Sequence, residues 1–143
     1  MSGEQSTSTA WARAAFAAIA LVLSLATPVT AGSLEDAKAA YDRRDYVAAL
    51  RLLGPLAGQG DASAQSYLGH MYEFGIGVPR DCAEALKWYR LAADQGDANA
   101  QNSLGVKHLS GEGVPQDYAE ALKWLRLAAD QGQASAQFNL GQM

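Results

Sequence analysis

The sequence predicts an all-α solenoid built from antiparallel helix pairs, and three observations predict it. Gly60-Asp61-Ala62-Ser63-Ala64-Gln65 returns as Gly96-Asp97-Ala98-Asn99-Ala100-Gln101 and again as Gly132-Gln133-Ala134-Ser135-Ala136-Gln137, a period of 36 residues. Gly75-Ile76-Gly77-Val78-Pro79 returns at the same shift as Gly111-Glu112-Gly113-Val114-Pro115, so each unit carries one internal loop. Ala85-Leu86-Lys87-Trp88 returns as Ala121-Leu122-Lys123-Trp124, inside a stretch whose apolar residues fall at helical spacing. A period between roughly 20 and 50 residues marks a solenoid, in which each unit packs only on its neighbours.

The segment 1–31 reads as a secretory signal peptide. Arg13 precedes the apolar stretch Ala14 to Ala26, Thr27 and Pro28 break it, and Val29-Thr30-Ala31 places small residues where a signal peptidase cuts. The stretch runs for about 13 residues, and a membrane-spanning helix needs roughly 20. The expected mature chain is 32–143, secreted or periplasmic, with no membrane association after cleavage.

Residues 32–59 form a variant first repeat. Ser33 and Asp36 can cap a helix that carries Leu34, Ala37 and Tyr41, and Asp45-Tyr46-Val47-Ala48-Ala49-Leu50 aligns with Asp117-Tyr118-Ala119-Glu120-Ala121-Leu122. Pro55 falls inside the second helix of this repeat and removes a hydrogen bond there, so the helix is expected to bend or end near Gly54.

The second repeat spans 60–95. Its first helix starts on Asp61 and stops at Gly75, because glycine takes the left-handed conformation of a helix end. Its second helix starts on Asp81, with Glu84 three residues on at capping-box spacing, and ends at Gly96. The third repeat, 96–131, copies this with Asp97, Gly111, Asp117, Glu120 and Gly132, and 132–143 begins a further copy. Gly69 and Gly105 lie within first helices, where glycine costs about 1 kcal/mol relative to alanine. Their recurrence predicts that another backbone passes close by. In the last segment, Ala136 and Leu140 are expected to pack back on the Trp124 helix. Phe138 is expected to face outward and to offer end-to-end self-association.

The succession Ala-Gln-x-x-Leu-Gly, Gly-x-Gly-Val-Pro, Asp-x-x-x-Ala-x-x-Trp and Ala-Ala-x-x-Gly resembles the Sel1-like repeat family, a relative of the tetratricopeptide repeats, from Asp45 to Met143. The resemblance implies a right-handed superhelix that serves as an adaptor or scaffold, and in bacteria an exported one. The chain departs from the pattern where His108 stands for Tyr72 and Lys107 for Met71. A cysteine-rich branch of the family, with a disulfide in each repeat, is linked to β-lactam binding. Cys82 is the sole cysteine, so that activity is not carried over.

Composition narrows the function. The net charge is −4 and the chain carries no basic stripe, which argues against nucleic acid as a partner. One thiol closes no internal disulfide. Cys82 aligns with Tyr46 and Tyr118, a packing position. His70 and His108 lack a carboxylate or cysteine at ligand spacing, so no metal site is expected. Trp88 and Trp124 read as core. Gly75-Ile76-Gly77 follows no strand and precedes no lysine, so it is a helix connector and not a phosphate loop. No catalytic set and no cofactor are expected, and the chain reads as a binding protein, not an enzyme.

The remaining candidate is a surface. Ser63, Ser66, His70 and Glu73 share one stripe of a first helix, Asn99, Asn102, Val106 and Leu109 the corresponding stripe of the next, and Ser135, Phe138 and Gln142 continue it. In helix-pair solenoids the first helices line the concave side, so this face is expected to bind a protein or peptide. Two rival readings are a cell-wall or β-lactam hydrolase and a structural subunit of an envelope or polysaccharide-export assembly.

Overall fold

A computed structural model describes residues 32–143, and the signal-like segment 1–31 lies outside the described residues. Among the described residues there are seven helices: α1 (Leu34–Asp42), α2 (Tyr46–Gly58), α3 (Ala62–Phe74), α4 (Cys82–Asp94), α5 (Ala98–Ser110), α6 (Tyr118–Asp130) and α7 (Ala134–Gly141). They pair as α1 with α2, α3 with α4 and α5 with α6. Each second helix then packs on the first helix that follows, α7 included. Among these helices none is long and apolar enough to cross a membrane.

The helix starts follow from their caps. Ser33 accepts from the Asp36 N–H while Asp36 accepts from the Ser33 N–H, a closed capping box. Asp61 and Asp97 each accept from the N–H three residues on, and Gln133 does the same for α7. The box expected at Asp81 and Glu84 does not close. Asp81 accepts from Ala83 and Glu84, and Glu84 turns to Lys87 instead, 3.5 Å away; Asp117, Glu120 and Lys123 copy this. The cause is that the N–H groups of Asp81 and Asp117 already donate to Tyr72 and His108 carbonyls across the loop, so no free donor remains for the glutamate.

Gly75 and Gly111 end α3 and α5 in the left-handed conformation, at φ 66° and 72°. The short turn before α2 puts Arg44 there as well, at φ 62°. A second departure concerns Pro55. The helix does not break at Gly54 but runs through the proline to Gly58. Helical backbone before a proline is disfavoured partly by the preceding Cβ, and Gly54 has none. Pro55 is also exposed, as is Arg51, whose carbonyl loses its helical donor to the proline.

Three core clusters follow one another along the stack. The first joins α1, α2 and α3 through Ala37, Ala49, Leu53, Leu68 and Met71, with Trp88 half-buried against it. The second joins α4, α5 and α6 through Ala85, Tyr89, Ala92, Leu104 and Trp124. The third joins α6 and α7 through Leu125, Ala128 and Ala136, with Leu109 and Leu140 against it. Cys82 is half-buried at the start of α4, beneath the loop glycine Gly113 of the next repeat.

Gly69 and Gly105 sit where the two helices of a pair meet. The expected close neighbour is a side chain before it is a backbone. A Cβ on Gly69 would meet the Tyr89 ring at 2.6 Å, and one on Gly105 would meet Leu125 at 2.5 Å with the Ala121 carbonyl at 3.3 Å. Gly105→Ala should therefore lower stability by about 1–3 kcal/mol, the usual cost of overpacking. Gly58, in the last turn of α2, has open space around it. Gly58→Ala should instead raise stability by roughly 0.5–1 kcal/mol through helix propensity. Denaturant midpoints of the two variants should shift in opposite directions.

Candidate functional site

A groove of about 470 Å³ runs across the first helices. Its walls are Tyr41 of α1, Ser66, Tyr67 and His70 of α3, Asn99, Asn102 and Ser103 of α5, and Gln133 and Ser135 beside and in α7, with Tyr89 of α4 at its floor. Every one of these side chains is uncharged or a histidine.

The stripe read from the sequence divides on this surface. Ser66, His70, Asn99, Asn102 and Ser135 line the groove. Ser63 is half-buried on α3 outside the lining. Val106 and Phe138 are exposed, at 39% and 67%. Leu109 packs against the third core cluster. Glu73 turns inward: its Oε1 lies 2.6 Å from Lys107 Nζ, and its Oε2 accepts from the Tyr89 hydroxyl at 2.6 Å. Spacing within one helix did not show Tyr41, Tyr67, Tyr89, Ser103 and Gln133. Tyr67 and Ser103 directly follow Ser66 and Asn102, so a wider stripe on each helix would have included them.

At one end of the groove the lining is aromatic. Tyr41 meets Tyr46, Tyr67 and His70 edge to face, with ring centres 5.6, 5.3 and 6.1 Å apart, and His70 leans on Phe74 at 4.7 Å. The Tyr41 hydroxyl and His70 Nδ1 are hydrogen-bonded at 2.9 Å. Burial raises the Tyr41 pKa, helped by Tyr46 and Tyr67. Burial lowers that of His70 against the opposing pull of Glu73, so the ring is neutral near neutral pH. At the other end the amides are paired: Gln133 Nε2 donates to Asn99 Oδ1 at 3.3 Å, and Asn139 Nδ2 donates to Asn102 Oδ1 at 3.0 Å. His108, the other histidine, is buried in the packing of α5 and lies outside the groove.

Such a surface can hold a ligand by hydrogen bonds and ring contacts. It offers no charged group for an ion pair.

A family model described as Sel1 repeat matches residues 62–97, 98–133 and 134–143. Among solved structures, a Sel1 repeat protein from Oxalobacter formigenes is 34% identical, with a TM-score of 0.71 over 76% of this chain and 45% of that one. The protective antigen c5321, present in uropathogenic Escherichia coli strains and displaying an SLR fold, is 42% identical, with a TM-score of 0.65 over 68% of this chain and 21% of that one. The chain thus spans less than half of the first protein and about a fifth of the second. No curated protein matches the sequence.

The lowered pKa of His70 sets a pH dependence. The unfolded chain takes up a proton near pH 6.5, where the folded ring resists it, so the unfolded state binds more protons in the interval just below. Stability should fall as the pH drops through that interval, and His70→Gln should flatten the decline. Denaturant midpoints measured from pH 7 downward check both outcomes.

Proposed function

The chain belongs to the Sel1 repeat family of helical scaffolds, whose members generally act in protein–protein interaction, and we propose that it binds an extended segment of a protein or peptide partner in the groove of its first helices. The observation that carries this reading is the groove itself. It is continuous over four first helices and holds about 470 Å³. Its lining combines ring edges with amides and hydroxyls, a mixture that suits recognition by shape and hydrogen bonding. The reading assigns no chemical step to the chain.

The test compares two faces of the fold. A photo-crosslinking residue at Asn99 or Ser135, both exposed in the groove, should capture the partner; one at Val47, exposed on α2, should not. Asn102→Glu combined with Ser135→Glu should abolish capture and leave the circular dichroism spectrum unchanged. Leu109 is left intact because its side chain belongs to the core. Undiminished capture by the folded double variant would exclude the groove.

We further propose that the segment 1–31 directs export to the periplasm or beyond and is then removed. The support is the order of Arg13, the apolar stretch Ala14 to Ala26 and the small residues Val29-Thr30-Ala31. The exported protein should have an intact mass that begins at Gly32, and a mass that retains residues 1–31 would overturn this.

A further inference from the structure

The cap of α7 departs from the repeat. At a shift of 36 residues Gln133 aligns with Asp61 and Asp97, which cap α3 and α5. Aspartate is among the residues best suited to that place, and glutamine is not. Capping alone therefore does not call for Gln133. It caps nonetheless: its Oε1 accepts from the Ala136 N–H at 2.6 Å. Its longer side chain also reaches back to the preceding first helix, where Nε2 donates to Asn99 Oδ1 at 3.3 Å. One repeat earlier the aligned residues are Asp97 and Ser63, and among the described residues no hydrogen bond joins them.

The backbone sets the direction of these two bonds. A backbone N–H can only donate, so the atom of Gln133 that meets Ala136 is its oxygen. The other end of that amide is then the NH2 group, and the atom of Asn99 that meets it is again the oxygen. Asn99 is left with its Nδ2 turned away from Gln133, without a partner among the described residues. It is exposed and lines the groove. One turn on, Asn102 also gives its oxygen to a neighbour, accepting from Asn139 Nδ2 at 3.0 Å, and its own Nδ2 is likewise unpartnered among the described residues. The amides of α5 thus have their acceptor ends taken and their donor ends free. The lining holds no lysine or arginine to balance a carboxylate. The acceptor that fits is a neutral carbonyl, which a peptide carries at every residue.

We infer that Asn99 is a specificity-determining donor to a backbone carbonyl of an uncharged extended peptide, and that Gln133 is the positioning residue that holds its amide in that sense. This rests on the reading that the groove binds a peptide. It adds the group of the peptide that α5 reads, and the reason a glutamine stands where the other repeats have aspartate.

The experiment offers the full chain capped peptides without Asp, Glu, Lys or Arg, and matched peptides rich in those residues. The neutral peptides should bind. Asn99→Ala should weaken them by roughly two- to tenfold, the worth of one hydrogen bond, with an unchanged denaturant midpoint. Gln133→Glu keeps the length of the side chain and its capping oxygen but offers Asn99 only an acceptor. Asn99 should then turn its Nδ2 to the carboxylate and its oxygen to the groove. Binding should fall by a similar factor while the midpoint holds or rises, because a helix N-terminus favours negative charge. Should Gln133→Glu unfold α7, Gln133→Asp, which restores the cap of positions 61 and 97, takes its place. Asn99→Ala combined with Gln133→Glu should bind no more weakly than either single variant, since both remove the same donor. Additive losses, or undiminished binding by the folded Gln133 variant, overturn the role of Gln133. Undiminished binding by Asn99→Ala, or binding of the charged peptides alone, overturns the whole inference and leaves the peptide groove standing. If no peptide binds, both readings fall.

Discussion

Each second helix of this chain ends on a carbonyl that takes one turn bond from its own backbone, and the following first helix gives that carbonyl a second donor, a glutamine. Gln65 Nε2 donates to the Ala57 carbonyl at 3.1 Å, Gln101 to Ala93 at 3.2 Å and Gln137 to Ala129 at 3.2 Å. The other end of the amide is also used: Gln65 Oε1 accepts from Gln95 at 2.8 Å, and Gln101 Oε1 from Gln131 at 2.9 Å. One side chain thus ties the end of the preceding helix to the end of the succeeding one. Glutamate would lack the donor, and leucine would remove the amide's bonds altogether, each worth about 0.5–1.5 kcal/mol. Because Gln65 and Gln101 are buried, their bonds tolerate little slippage. They fix the height at which each first helix stands beside the last, and the groove is the row of first helices so aligned.

The helix boundaries were legible because their signals are local. An aspartate before a helix and a glycine after it act within one turn, and Asp61, Asp97, Gly75 and Gly111 do what their positions imply. The misreadings arose where a distant group decides the outcome. Glu84 lost its place in a capping box because the Asp81 N–H was already bonded across the loop to Tyr72. Pro55 kept its helix because its neighbour is Gly54 and its side faces water. Half of the groove was legible in the same sense. The placement of Ser66, His70, Asn99, Asn102 and Ser135 follows from helical period and repeat alone. Glu73 and Leu109 share that spacing yet turn inward, since their partners, Lys107 for one and the α6–α7 core for the other, lie on different helices. Tyr89 was out of reach for another reason: it enters the groove from a second helix, through the space that Gly69 leaves.

A buried ion pair is a poor source of stability. Bringing two such charges out of water costs several kcal/mol per ion, and apolar replacements of similar volume often do as well or better. The chain contains its own apolar alternative, in the leucines at positions 109 and 125. A domain with roughly 5–15 kcal/mol of net stability keeps such a pair more readily when it secures something that leucine cannot. Here it secures the direction of the Tyr89 hydroxyl proton at the floor of the groove.

The remaining charges stand away from that floor. Glu35 with Lys38, Glu84 with Lys87 and Glu120 with Lys123 are paired along exposed helix faces, and Arg80 with Glu112 joins successive loops at 2.7 Å. Exposed pairs of this kind contribute about 1 kcal/mol or less and are screened by salt. The groove between them is neutral, His70 included, so it exerts no long-range pull on a charged partner, and encounter is not steered electrostatically. Selectivity then falls to short-range terms. A ligand that fails to meet the polar groups of the lining leaves them unpaired as water is displaced, and that loss is larger than the gain from any one correct contact. A neutral groove of this kind discriminates by the penalty for a mismatch, and it needs its polar groups held still to do so. The glutamine ties hold the helices that carry those groups, and the Glu73–Lys107 pair holds the Tyr89 hydroxyl beneath them.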